Sequence, residues 1–241
     1  MTLADAIDWD RIENFIGFGS PEAKYVFLGM EEGLLSEATL DADLAVRSGY
    51  EQYMDLYDAQ AKLADTQKYF GERPVNQPSW RPICDLMLRL TEGVAEPTLP
   101  ERLQYQAEML GRKNGQTLVA ELMPYPRKKA PKSYWPYKKY GRFDDYETYR
   151  ECMLKKRLSL LRSLFAMPCE RKLVVAYGKS DWTDFKKLFE TDWTSVPPFE
   201  TGQVGETAVV LTPQLSTRAF NSKNDLDHFA AVVTSALRRR A

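Results

Sequence analysis

The sequence predicts an α/β protein: a three-layer α/β/α sandwich with a central four-stranded parallel sheet, in a single domain of 241 residues. Two observations carry that expectation. Four short apolar runs (Tyr25–Met30, Thr117–Leu122, Lys172–Tyr177 and Thr207–Leu211) are too brief for helices and read as strands buried on both faces. Helical patterns separate them, and this alternation implies parallel pairing with right-handed crossovers.

Composition narrows the function classes. Net charge is −1, so no global field draws the chain to nucleic acid, and any such attraction must be local. No long apolar span and no basic-then-apolar leader is present, so a soluble cytoplasmic protein without a membrane partner is expected. Cys84, Cys152 and Cys169 are scattered, which argues against a disulfide framework and against a zinc or iron–sulfur cluster. The one histidine, His228, lies inside a predicted helix, which leaves no basis for histidine-based catalysis or a His-rich metal site. The expected protein is a monomer with neither metal nor cofactor.

In chain order, Ile7, Trp9, Ile12, Phe15 and Ile16 offer a short amphipathic helix that Gly17, Gly19 and Pro21 end. The first strand then stops at Gly29-Met30-Glu31-Glu32-Gly33. Glycines let backbone N–H groups approach a ligand, and the carboxylates fall at a strand's carboxyl end, where open α/β sheets bind ligands. The plainer alternative is a helix start, with Glu31 and Glu32 facing its positive dipole. From Ser36 to Phe70 the pattern is helical, with Tyr50, Tyr53, Met54 and Tyr57 as an aromatic stripe, and reads as an inserted lobe. Ser79 is the expected cap of a helix from about Trp80 to Leu90, and a polar helix follows from about Glu101 to Leu110. The second strand ends on Glu121, a carboxylate whose burial without a partner would be costly. A salt bridge is the simple explanation.

The segment from Tyr125 to Phe143 is the most distinctive. Arg127, Lys128, Lys129, Lys132, Lys138, Lys139 and Arg142 alternate with Tyr134, Trp135, Tyr137, Tyr140 and Phe143. Cations for phosphates and flat rings for bases suit single strands or splayed nucleotides; the alternative is a surface loop pinned by its rings. A long helix spans about Tyr146 to Phe165. After the third strand, Lys179 can meet a phosphate at the start of the helix Trp182–Phe189, capped by Ser180 or Asp181. This is not a nucleotide-binding P-loop, because the upstream glycine is absent. Asn224 or Asp225 caps a final helix whose basic end suits the dipole.

Glu31, Glu32, Glu121, Lys179 and the stretch Thr212 to Asn221 all fall at strand ends. At this point a resemblance becomes visible. Gly29-Met30-Glu31-Glu32-Gly33 resembles the first motif of the uracil-DNA glycosylase superfamily. Thr212-Pro213-Gln214-Leu215-Ser216, followed by Arg218-Ala219-Phe220, resembles its second, a His-Pro-Ser loop that enters DNA. Val174-Val175-Ala176-Tyr177-Gly178-Lys179 has the family's strand closing on glycine.

The resemblance implies a DNA glycosylase acting on a flipped base, with DNA as partner. Glu31 would be the catalytic carboxylate and Glu32 the second choice. Met30, Glu121, Phe70, Thr212 and Gln214 would surround the base, with Trp80 another ring able to stack on it. Lys128, Lys129, Lys132, Tyr134, Trp135, Lys138, Lys139, Lys179, Ser216 and Arg218 would hold the strand, and Leu215 or Phe220 would fill the gap. The departures matter. Thr212 stands where the family has histidine, the four cysteines of the iron–sulfur branch are absent, and Glu121 stands where asparagine reads the base. A carboxylate accepts from cytosine's amine and repels uracil's carbonyl. With the lobe at residues 36–70, this implies similarity to anti-phage glycosylases that remove glucosylated hydroxymethylcytosine. Uracil or damaged-base repair, a catalytically inactive binding module of the same fold, and an enzyme on free nucleosides are the alternatives.

Overall fold

The four apolar runs pair side by side, and further strands extend them on both edges. In the computed structural model, which describes residues 7–34, 38–63, 66–127 and 135–239, the strands are β1 (Gly17–Gly19), β2 (Tyr25–Gly29), β3 (Tyr53–Met54), β4 (Thr117–Glu121), β5 (Leu173–Tyr177), β6 (Thr194–Val196), β7 (Phe199–Val204) and β8 (Thr207–Thr212). They form one sheet in the order β3-β1-β4-β2-β5-β8-β7-β6. β4, β2, β5 and β8 are parallel neighbours. β1 runs antiparallel to β4 and carries β3, while β7 and β6 add antiparallel beyond β8.

The sheet is therefore mixed and eight-stranded, which corrects the expectation of four parallel strands. The reason is legible at β1. A Cβ on Gly17 would sit 2.2 Å from the Val119 carbonyl oxygen, and one on Gly19 would sit 2.1 Å from that of Thr117. The two glycines that read as a helix stop are what lets β1 lie against β4.

The helices are α1 (Trp9–Asn14), α2 (Leu40–Arg47), α3 (Leu56–Lys62), α4 (Thr66–Phe70), α5 (Arg81–Thr91), α6 (Leu99–Glu108), α7 (Tyr146–Phe165), α8 (Trp182–Lys186) and α9 (Lys223–Arg238). Ser79 does not cap α5; Trp80 occupies that position without a side-chain bond. Asp181 precedes α8, also without one. Ser222, not Asn224 or Asp225, caps α9, and Asp225 closes a capping box with it.

Side chains alternate between two cores, as strands covered on both faces require. Tyr25, Phe27, Val175 and Val210 join Leu86, Met87, Tyr105, Phe229 and Val233 on one face. Val26, Leu28, Val174 and Val209 join Ile12, Leu44, Tyr149, Leu161 and Phe185 on the other. The segment between Ser36 and Phe70 is not a purely helical insertion. Tyr53 and Met54 form β3, and Tyr50, Leu56 and Ala59 belong to the core. Ser36 itself lies outside the described residues.

Candidate active site at the strand ends

Strand order places the site. From β2 the chain passes to β4 on one side and then to β5 on the other. That reversal opens a crevice outside the carboxyl ends of β2 and β5. The turn after β2 is held alongside the segment after β4. Leu122 N–H donates to Gly29 O at 2.9 Å, Met123 N–H to Met30 O at 2.8 Å, and Arg127 N–H to Glu32 O at 2.9 Å.

Three carboxylates gather there, two with a cation and the third facing a tyrosine hydroxyl. Glu31 Oε2 accepts from Arg127 Nε at 2.7 Å, and the Arg127 guanidinium lies 3.9 Å from the centre of the Tyr146 ring. The Glu31 side chain is only 7% exposed, and its Oε1 has no hydrogen-bond partner. Burial pushes its carboxyl above the ordinary range, while Arg127 and the Tyr146 hydroxyl pull it down and Asp181 adds to the rise. Glu32 forms an ion pair with Arg47, which α2 brings to the turn. Burial raises the nearby Tyr50 hydroxyl to about 12.

Glu121 pairs in register with Gly29. A Cβ on Gly29 would fall 2.2 Å from Glu121 Oε2 and 2.6 Å from Tyr177 Oη. The empty side of glycine is thus where two side chains from flanking strands meet, with Tyr177 Oη donating to Glu121 Oε1 at 3.2 Å. Glu121 Oε2 has no hydrogen-bond partner. Burial, then the charges of Glu32 and Glu31, hold the Glu121 carboxyl well above its usual range. No direct salt bridge explains it, contrary to the simple reading. Arg157 on α7 is the closest compensation. Its guanidinium donates to the backbone carbonyls of Glu121, Leu122 and Glu13 at 2.8, 2.9 and 2.9 Å. Burial lowers it to about 10, which leaves it a cation at neutral pH.

The remaining expected residues are distributed as follows. Met30 packs partly buried against the core on the α7 face. Thr212 is fully buried at the end of β8, with Oγ1 unpartnered, and its carbonyl accepts from Gly178 N–H at 3.0 Å and Trp182 Nε1 at 3.1 Å. Gln214 Oε1 lies 3.5 Å from where a Gly178 Cβ would be. Lys179, Ser216 and Arg218 are exposed. Lys138 pairs with Asp144 at 3.4 Å and Lys139 with Asp41 at 2.8 Å. Lys128, Lys129, Lys132 and Tyr134 lie outside the described residues.

Several expectations need correction. Trp135 is buried against Tyr125, Tyr137 and Tyr149, so it is a core ring and not a stacking surface. Leu215 and Phe220 are each 1% exposed, Phe220 packing on Phe199 and Phe229; neither stands out as a wedge. Phe70 is not among these: it stays partly buried, packing between Tyr57 and Trp80 with ring centres 5.6 and 6.0 Å away.

Arg47 and Arg157 were not singled out from sequence; Arg127 was read only as one cation of the basic segment and Tyr177 only as part of a strand. Arg157 had a signal, since it falls on the apolar stripe of α7 with Met153, Leu158 and Leu161. Among the described residues no group of three His, Cys, Asp or Glu is arranged to hold a metal ion, because each glutamate turns to its own partner. Two shallow hollows elsewhere on the surface contain none of the three carboxylates. No protein-family model matches the chain, and a search of curated proteins finds no match.

Proposed function

We propose that this protein is a DNA glycosylase, hydrolysing the N-glycosidic bond of a base turned out of the stack and leaving an abasic site. The observation that carries the reading is the pairing of two unlike carboxyl groups at the sheet's switch point. Glu31 is held beside a guanidinium, and Glu121 is held where its neutral form is favoured. Burial raises both, Glu121 further, and the cation beside Glu31 opposes the rise there; such unequal surroundings are the usual mark of an acid and a base. Glu31 Oε1 would orient a water at C1′ and stabilise positive charge on the sugar. The water oxygen bonds to C1′ as its proton passes to Glu31, the C–N bond breaks with its electron pair going to the base, and the base takes a proton from Glu121. Glu32, committed to Arg47, is the weaker catalytic candidate.

A glucosylated hydroxymethylcytosine remains the proposed base. Its support is the segment between β2 and α5, which reaches the site through Arg47. A second reading, uracil or damaged-base repair, gains from Glu121. A neutral carboxyl presents one donor and one acceptor, and that pair matches cytosine N3 and N4 or uracil O4 and N3. The repulsion that a carboxylate would exert on uracil is then lost.

Base release from single- and double-stranded DNA, read by mass spectrometry, tests both. The substrates are DNA with uracil, hydroxymethylcytosine or its glucosylated form, each with wild type, Glu31→Gln and Glu121→Gln. Release of modified cytosine, lost in Glu31→Gln, supports the first reading. Release of uracil keeps the enzyme class and selects the second. DNA binding without release of any base from wild type points to an inactive binding module.

A further inference from the structure

Arg127 is fixed from three directions. Its backbone continues the ladder beside the Glu31–Glu32 turn, with its carbonyl accepting from Leu34 N–H at 3.3 Å and its N–H donating to Glu32 O at 2.9 Å. Its guanidinium carbon lies over the Tyr146 ring, 3.9 Å from the ring centre. Its Nε then meets Glu31 Oε2 at 2.7 Å. A guanidinium held over a ring and tied at its backbone presents its donors from a fixed direction, so the pair is directed and not merely attractive. The other groups that bear on Glu31 are Tyr146 on α7, Asp181 before α8, Glu121 at the end of β4, and the hydroxyls of Tyr137 and Tyr149. Among these groups Arg127 is the cation.

We propose that Arg127 is the positioning residue for Glu31: it sets its charge against the buried carboxylate and, by taking Oε2, leaves Oε1 as the oxygen that receives the nucleophilic water. This rests on the reading of Glu31 as the catalytic carboxylate. Burial alone would favour the neutral acid, which cannot take a proton from water. The Arg127 charge opposes it. The geometry also divides the work within one side chain, since Oε2 is engaged by Arg127 and Oε1 accepts no hydrogen bond.

The test is the titration of the Glu31 carboxyl by carbon-13 NMR of the free protein, its resonance assigned by loss in Glu31→Gln. Arg127→Gln and Arg127→Met remove the charge, and the second keeps an apolar stem over Tyr146 should the first fold poorly. Both are expected to move the Glu31 midpoint up by about 1 unit or more. Arg127→Lys, which keeps a charge without the planar fork, should restore part of the shift. The acid limb of base release against pH should move the same way. An unmoved Glu31 midpoint in a folded neutral variant overturns the proposal, as does lost base release with an unmoved pH limb, which marks Arg127 as scaffold. Wild type that releases no base defeats the glycosylase reading instead, and the NMR midpoint still decides the Arg127–Glu31 link.

Discussion

Glu121 and Tyr177 come from strands on opposite sides of β2 and meet over Gly29, with Tyr177 Oη 3.2 Å from Glu121 Oε1. Gly29 is the position that makes the meeting possible, because any Cβ there overlaps both groups.

Gly29→Ala should therefore destabilise the fold by about 1–3 kcal/mol, the usual range for overpacking a filled site. In a Glu121→Ala background the cost should shrink, since the nearest clash is gone, while the Tyr177 hydroxyl keeps it above zero. A double-mutant cycle by urea unfolding checks this. Equal costs in both backgrounds would show that Glu121 does not fill the space above Gly29.

Stability should depend on pH through Glu121 and Glu31. Both are raised above the ordinary glutamate value of 4.5, so the folded state binds protons more tightly than the unfolded chain. Their stabilisation is complete below 4.5 and is lost as pH rises through the folded values. Glu121→Gln should flatten the decline that wild type shows above that point. Unfolding free energies measured across this range, at fixed salt, read the difference.

Arg157 carries its charge among backbone carbonyls in the core. Arg157→Met should cost about 3–5 kcal/mol, the range for removing one side of a buried charge arrangement. The carbonyls of Glu13, Glu121 and Leu122 lose their donor together, and Glu121 loses its compensating cation. The expected observation is a large fall in urea midpoint with an unchanged slope.

Phe220 and Arg218 separate packing from contact with DNA. Phe220→Ala should cost about 3–5 kcal/mol, because the ring sits among Phe199 and Phe229. Under conditions where that variant stays folded, its DNA affinity should match wild type. Arg218→Gln and Lys179→Gln should leave stability within about 0.5 kcal/mol and, on the proposed function, weaken DNA binding with a shallower salt dependence. Fluorescence anisotropy at several salt concentrations distinguishes the two patterns. A selective affinity loss in Phe220→Ala would return that ring to the role of wedge.

The positions of the central strands were legible because each is an unbroken apolar run, and the helices α5, α6, α7 and α9 because helical stretches long enough to span the sheet lie between those runs or after the last of them. β1 was not, because its two glycines signal a break in one dimension and a close strand contact in three. The rings of the Tyr125–Phe143 segment pointed outward in a reading by composition. Most of those described point inward, since Tyr125 and Tyr149 supply a surface for them that lies 24 residues apart in the chain. Leu215 and Phe220 were misplaced for the same reason: a loop's apolar side chains declare a need for burial without declaring where it will be met.

From the sequence alone came the α/β class, the short runs at its centre and the collection of Glu31, Glu32 and Glu121 at strand ends. Local pattern suffices for these, because burial on both faces and the turn after a strand are properties of neighbouring residues. Tertiary structure alone decided which cation meets which carboxylate. Glu31 meets Arg127, Glu32 meets Arg47, and Glu121 faces Tyr177 over a glycine, with Arg157 beneath its own carbonyl. Those partners are set by strand order and helix packing. The ionisation of each glutamate, and with it the chemistry open to the site, depends on distances that no linear spacing contains.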